Sequence, residues 1–561
     1  MRRFLGEHRD GLLRVIESGT FFTRTEIEPL LDASLPGMAE LGALLAINRM
    51  LDVSEFGEVV VDTAPIGHTL RMFEIPQHLA KVLSFLETAS SRDQAIAAQF
   101  AGRKLDEHPV ISDWRRMVER VREVIGGPQS RVVLVTTPEE FALEESWRVL
   151  KELGRLSIKV DEAALNRAVT DPGTCAMCIR RARETTRALR NLRAHISEDS
   201  VRLGVDPGGP ILGADSLAVF GAHIFEGRAL KLRPEPPKVT WEPELISHSW
   251  PDLNVPLTLV LGKGGVGKTT ISAGLAVHER GTNSGQRVTV CSIDPAPSLD
   301  DVFKVEVGER PRSVLGDSQL QAVEFDAVSA FRVWADGVKD RMERALTPGT
   351  GGLRFDLSFD RRIISALLDI TPPGIDEIFA VFRILELARG GGRVVIDMAP
   401  TGHALEVLRT PARLLSWARL LLKSLAAHRT LALAQDAAVE VATISHRVRE
   451  FSAELNNPTR SRAWPVMLPE SLPDRETTRL VAGLREANLP LAGVFVNRML
   501  FPKAGATCSR CSRARQWQLA TMSKLQRKYC DTQILCVPES PRGIAGKSQL
   551  QSFTKRIWRI N

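Results

Sequence analysis

The sequence has no run of about 18 or more apolar residues, the length a helix needs to cross a bilayer, so no membrane span is expected. Its first residues, MRRFLGEHRDGLL, are charged throughout and lack the apolar core of a secretory leader. Cysteine is scarce, with seven in 561 residues, none before Cys175 and none from 301 to 507. So few, and odd in number, they argue against a disulfide framework. The expected address is therefore the cytoplasm. Neither sign of charge dominates, since 74 basic and 67 acidic residues leave +7. A nucleic-acid coat would show a denser basic stripe, and no specific nucleic-acid partner is expected. The densest basic run, CIRRARETTRALRNLRAH (178–195), places arginines along a helix and reads as a solvated face.

What is present is a repeat. VVVDTAPIGH (59–68) returns as VVIDMAPTGH (394–403), which sets Asp62 and Asp397 335 residues apart. TPEE (137–140) matches LPES (468–471), and Pro138 and Pro469 differ by 331. ALNRAVTDPGTCAMC (164–178) matches FVNRMLFPKAGATCSRC (495–511), with Asn166 and Asn497 again 331 apart and Cys175 and Cys508 333 apart. LPGMAE (35–40) resembles PPGIDE (372–377). One nearly constant offset across these landmarks describes two copies of one domain, too long together for a single core. Between the copies, residues 233–256 hold six prolines, which favours an extended linker over a helix or central strand. The expected division is 1–232, a linker over 233–256, and 257–561.

The second copy carries LTLVLGKGGVGKTTISAGLAV (257–277), an apolar strand, a glycine loop and an amphipathic helix. Gly262, Gly264, Gly265 and Gly267, with Lys263 and Val266 between them, would turn backbone amides towards phosphate oxygens at a helix N-terminus. Lys268 would reach the outer phosphates, Thr269 would ligate Mg²⁺, and Thr270 closes the motif. ATP and Mg²⁺ are the implied cofactors. The first copy has only 61 residues before Asp62, against 135 between Gly262 and Asp397. It is expected to lack both the phosphate loop and the segment that follows it, through loss or because the sequence starts downstream of the true initiation site. The strand-like VVVD (59–62) is nevertheless expected to be buried.

GKGGVGKTT, with the early Lys263, SIDPAPSLDDVF (292–303), DMAPTGHALEVLR (397–409) and the CSRC pair after VNR together resemble the arsenical pump-driving ATPases and their relatives that target tail-anchored membrane proteins. The resemblance covers 257–561 nearly end to end and the first copy more loosely. It implies an α/β fold of tandem P-loop NTPase domains, each a mostly parallel sheet flanked by helices, with a helical subdomain after switch II. It also implies that Asp294 orients the attacking water, that Asp397 holds magnesium through water, and that Asn497 and Pro538 bound the adenine. Taken singly, the aspartates also fit turn positions after strands and Asn497 a cap; His403 reads as a structural turn residue. In the family the early lysine reaches the partner's nucleotide. Lys263 here would face a copy without a phosphate loop, so the expected assembly is a lopsided pseudo-dimer or a homodimer through the second copies.

CAMC (Cys175, Cys178) and CSRC (Cys508, Cys511) occupy equivalent places, and the repeat's twofold would gather them into the four-thiolate tetrahedron that Zn²⁺ prefers. The bland alternative is two unrelated thiol pairs on loops. Cys291, Cys530 and Cys536 read as small core residues. The gaps without cysteine count against the family's usual arsenite-activation site. A helix face of Leu414, Trp417, Leu421 and Leu425, widened by Leu415 and Leu422, is either a core face or an apolar client groove. Two partners follow, a membrane transporter subunit for arsenite or a related anion, or a tail-anchored client protein. A nucleotide-sensing scaffold without turnover is the third reading.

Overall fold

The computed structural model describes residues 109–294, 299–345, 375–399, 432–501, 508–540 and 543–560, together with 57–63 and scattered positions between 10 and 90. The chain forms two compact units, each interleaved in sequence. One unit comprises residues 131–325, 384–405 and 453–561, the other residues 1–130, 326–383 and 406–452.

The first of these contains both sheets. In the first half, β1 (Val133–Thr136), α1 (Glu140–Arg155), β2 (Glu162–Ala168), α2 (Ala176–His195), β3 (Val201–Val205) and α3 (Ala214–Glu226) follow in order. Their strands form a parallel sheet, β1-β2-β3. Then come β4 (Leu245–His248), β5 (Leu257–Gly262), α4 (Lys268–Thr282), β6 (Val288–Ser292), α5 (Leu299–Phe303), β7 (Arg312–Val314), β8 (Asp317–Glu324), β9 (Arg393–Asp397), β10 (Ser461–Met467), α6 (Ser471–Glu486), β11 (Val494–Met499), α7 (Ser509–Lys528), β12 (Ile534–Pro538), α8 (Gly546–Phe553) and β13 (Ile557–Ile560). They build a ten-stranded sheet in the order β4-β13-β12-β11-β10-β5-β9-β6-β8-β7, parallel inside and antiparallel only at its two ends. Central strands of this kind are covered on both faces and read as continuous apolar runs. LTLVLG in β5, with every residue buried, is such a run.

The repeat is visible in detail. β1-β2-β3 corresponds to β10-β11-β12, and both triplets shift register at the same place, between Leu165 and Ala168 and between Val496 and Met499. Arg167 and Arg498 sit at these irregularities with φ of 58° and 62°.

Three expectations need correction. Val59–Asp62 is neither a strand nor buried: Val60 is 88% and Val61 43% exposed, and Asp62 is exposed. Its counterpart β9 is held between β5 and β6; among the described residues the first half has no pair of strands like these to hold Val59–Asp62. For the same reason β1 ends its sheet with Val133 42% and Val135 63% exposed, whereas Trp464 and Val466, the same offset later in β10, are 6% and 0% exposed. The linker is more than a tether. Residues 245–248 form edge strand β4 against β13, and Trp250, Leu253 and Val255 are core residues, Trp250 stacking near Phe495 and Phe553. Finally, Cys291 and Cys536 are buried as expected, but Cys530 is exposed beyond the C-terminus of α7.

The named elements of the second unit are helices, with Pro109–Gly126, Ala327–Ala345 and parts of Ile375–Arg389 and Ala432–Asn456. Phe331, Trp334, Phe379 and Phe382 form an aromatic cluster there, with the Arg447 guanidinium 5.8 Å from the Phe382 ring centre. His403 and the apolar face of Leu414, Leu415, Trp417, Leu421, Leu422 and Leu425 lie outside the described residues, as does 295–298 within the SIDPAPSLDDVF segment.

Candidate functional site

The loop between β5 and α4 is held by contacts that admit only glycine. A Cβ on Gly262 would sit 2.3 Å from the carbonyl oxygen of Val466 in β10. Gly267 has φ of 91°, a left-handed conformation that glycine alone adopts freely, and a Cβ there would lie 2.4 Å from Asn497 Nδ2. Gly265 is left-handed as well, at 76°. α4 starts at Lys268, so the amides of its first turn face the loop without intrahelical partners. Lys268 is 6% exposed and its Nζ donates to the carbonyl of Lys263 at 3.3 Å.

Thr269 Oγ1, in the first turn of α4, donates to Asp397 Oδ2 at the end of β9 at 2.6 Å. Asp397 is fully buried, and its other oxygen, Oδ1, has no hydrogen-bond partner among the described residues. Burial pushes its carboxyl up to about 7, with Lys268 and the Thr269 hydroxyl pulling the other way. A hydroxyl and a carboxylate with one orphaned oxygen, both hard oxygen donors, fit a magnesium ion. Asp294 follows β6, which pairs with β9 so that Ser292 lies opposite Asp397. Asn497, in β11, donates from Nδ2 to the Val266 carbonyl at 2.9 Å and accepts the Arg498 amide on Oδ1 at 2.9 Å. Pro538 ends β12, and it lines one cavity of about 810 Å³ together with Gly267, Thr270 and Asn497. Lys263 pairs with Glu476 of its own half at 3.0 Å.

The raised Asp397 carboxyl has a consequence for stability. Its ordinary value is 3.8 and its folded value about 7. The contribution is therefore fully present below the lower value and lost as pH rises through the upper one. Metal-free protein is expected to lose on the order of a few kcal/mol between pH about 4 and about 7. Melting curves across that range should show the decline, and Asp397→Asn should flatten it. An unchanged profile in the variant would remove Asp397 as the cause.

The two cysteine pairs meet. Cys175 caps α2 and Cys508 caps α7, equivalent helices of the two halves. The four sulfurs lie within 4.8 Å of one another, with Cys178 Sγ 3.4 Å from Cys511 Sγ and 3.6 Å from Cys508 Sγ, and Cys175 Sγ 4.0 Å from Cys511 Sγ. Zinc–sulfur bonds of about 2.3 Å in a tetrahedron put sulfurs roughly 3.8 Å apart, so the set fits a Cys₄ zinc site. Burial and the neighbouring sulfurs push the Cys511 thiol up. At Cys508 burial acts upward too, but the Cys511 amide and the Cys178 sulfur outweigh it and bring the thiol down to about 7.

Residues that the sequence reading did not single out join the halves. Arg167 Nη2 donates to both oxygens of Glu470 at 2.7 and 2.8 Å, and Arg498 donates to both oxygens of Glu139, each at 2.6 Å. The arginines and the glutamates are each 331 residues apart, the offset of the flanking prolines and asparagines, so the signal was in the repeat. The 178–195 run also needs correction as a purely solvated face. Arg181 pairs with Glu539 at 2.6 Å, and Arg180, Arg183 and Arg187 line the same cavity.

A phosphate loop opening a helix from a central parallel strand, with a buried aspartate on the neighbouring strand, defines a P-loop nucleotide-binding domain. The anion-transporting ATPase family, ArsA type, matches residues 17–224 and 256–559, and the chain belongs to that family. It is 26% identical to the ATPase ARSA1 of Chlamydomonas reinhardtii over 584 residues, 91% of this chain and 70% of that protein. It is 27% identical to the ATPase get3 of Neurospora crassa over 312 residues, 53% of this chain and 88% of that one. It is 27% identical to an ATPase ASNA1 homologue of Entamoeba histolytica over 330 residues, 56% and 97% of the two chains.

Proposed function

We propose that the chain hydrolyses ATP at a single complete site in its second half and uses the nucleotide state to drive transport or delivery of a client. The carrying observation is the pair formed by Thr269 and the buried, half-orphaned Asp397 beside Lys268. In this reading Lys268 and the loop amides bind the phosphates, Asp294 orients the attacking water, and Thr269 and Asp397 hold the metal. Asn497 and Pro538 flank the base. Magnesium, when bound, offsets charge on the phosphate oxygens. The divisions 1–232, 233–256 and 257–561 then describe a degenerate half, a connecting segment and the ATPase half. The reciprocal Arg–Glu pairs support a lopsided pseudo-dimer within one chain rather than a homodimer through the second halves. Equilibrium binding should give one ATP per chain; two would sink this reading.

The client is either an arsenical or related anion pump in the membrane or a tail-anchored protein, with a cytoplasmic or peripheral inner-face location in both cases. Among the described residues no helix is long and apolar enough to cross a membrane; in the pump reading the partner is a membrane transporter subunit. The cysteine cluster engages all four paired cysteines in one zinc-compatible set, which accords with either reading. Steady-state hydrolysis with and without arsenite or antimonite separates the two. Stimulation assigns the pump role, and unchanged turnover assigns the targeting role. No turnover despite binding would leave a nucleotide-sensing scaffold.

A further inference from the structure

The pairs Arg167–Glu470 and Arg498–Glu139 are mirror images of each other across the repeat. The pair of Arg181 and Glu539 has no such image. Arg181 Nη2, in α2 of the first half, donates to Glu539 Oε1 at 2.6 Å, and the two side chains are 25% and 15% exposed. Asp206 of the first half lies 3.8 Å from Arg181 Nη1. At the 333-residue offset of Cys175 and Cys508, the counterpart of Arg181 is Ala514. At the 331-residue offset of Asn166 and Asn497, the counterpart of Glu539 is Gly208. Neither counterpart has a side chain that can carry charge.

At the mirrored place the contact is direct instead. Gly208 has φ of 80°, and a Cβ on it would lie 2.6 Å from Arg510 Cγ and 2.7 Å from the Arg510 carbonyl oxygen. Arg513 Nη2 donates to the Pro207 carbonyl at 3.0 Å. The turn after β3 therefore rests on α7 with no room for a side chain at 208, while the turn after β12 is bridged to α2 through one guanidinium. The bridged turn is the one beside the ATP site. Pro538, which precedes Glu539, lines the cavity with Gly267, Thr270 and Asn497, and Arg181 and Glu539 line it as well. The Glu539 amide donates to the Met499 carbonyl at 2.9 Å. Its backbone is thus tied to β11, the strand of Asn497, and its carboxylate to the other half.

We propose that Arg181 is a positioning residue for the nucleotide: acting through Glu539, it fixes the Pro538 turn against the base, and the first half thereby contributes to the ATP site of the second. The inference rests on the single-site ATPase reading, in which Asn497 and Pro538 flank the base. Without Arg181 the mostly buried Glu539 carboxylate loses its short partner and turns towards water, and the turn that carries it follows. The effect is confined to the base end of the nucleotide, because the phosphates are held by the loop amides and Lys268.

The test is equilibrium binding to the full chain, by calorimetry, of Mg-ATP and of Mg-tripolyphosphate, which has no base, with steady-state hydrolysis alongside. Arg181→Ala is expected to weaken ATP about ten-fold, the worth of one charged hydrogen bond, and tripolyphosphate by less than about two-fold. KM for ATP should rise with kcat nearly unchanged. Glu539→Gln should reproduce the loss, and carries the test where Arg181→Ala does not fold; the double variant should lose no more than either alone. Arg181→Lys, which keeps the charge, should recover most of the affinity, and Arg190→Ala, at an exposed position of the same helix, should behave as wild type. Equal losses for both ligands, a fall in kcat alone, or no loss overturns the proposal while the ATPase reading stands. Wild-type protein that binds neither ligand overturns both.

Discussion

Lys268→Ala is expected to lower ATP hydrolysis by about a hundred-fold or more, the usual cost of removing a preorganised charge from developing phosphate charge. The side chain is held for this task before any nucleotide arrives: it is almost fully buried and is turned onto the Lys263 carbonyl. An ammonium kept from solvent in this way is stabilised by replacing that carbonyl with phosphate oxygens, so binding should weaken along with turnover. Lys263→Ala should do less, since Lys263 is half-exposed and pairs with Glu476 in its own half. Single-turnover hydrolysis and nucleotide binding on both variants check the ranking. Equal losses would mean that the early lysine also carries the terminal phosphate.

The second large effect concerns the four cysteines. Metal analysis of purified protein should find a single zinc ion per chain, and chelation should lower the melting temperature. A ligand present at about a thousand times its dissociation constant stabilises by about 4 kcal/mol, and loss of that order is expected. Cys178→Ser should reproduce the effect, because Cys178 Sγ approaches both Cys508 and Cys511. With zinc absent and melting unaffected by chelator, the cluster would be a buried thiol core instead. Zinc, when bound, would draw thiolates from both halves and add a metal staple to the Arg–Glu pairs that already join them.

Much of the site was legible in the sequence because its chemistry depends on local spacing. A glycine loop between an apolar strand and a helix can be read without knowing what lies opposite, and the loop from Gly262 to Thr270 was. Asp397 could be placed because it ends an apolar stretch in a motif repeated at Asp62, and Asp294 through the resemblance that SIDPAPSLDDVF carries. What could not be read was which strands had neighbours. VVVD looks as apolar as VVID, but burial is a property of the sheet around a strand, and β9 is buried because β5 and β6 flank it. Trp250 was hidden by the opposite error, since prolines around it suggested a tether while its ring was packed into the core. The Arg167–Glu470 and Arg498–Glu139 pairs involve partners more than 300 residues apart, which no local pattern reports. The arginine run of α2 was misjudged for a similar reason, because Glu539, which engages Arg181, is 358 residues away.

The elements that join the halves and those that bind phosphate come from different parts of the repeat. Joining is the work of the β1-β2-β3 and β10-β11-β12 ends, through the arginines at their register shifts, the glutamates after their first strands and the cysteines that open α2 and α7. In the proposed reading, phosphate contact belongs to the ends of β5, β6 and β9. In that reading the partnering face of a half does not depend on its own phosphate-binding strands, much as one blade of a pair of scissors can be blunt and still guide the other. Changes in the phosphate-binding strands of one half leave the hinge between the halves intact, and the two capacities are free to diverge independently.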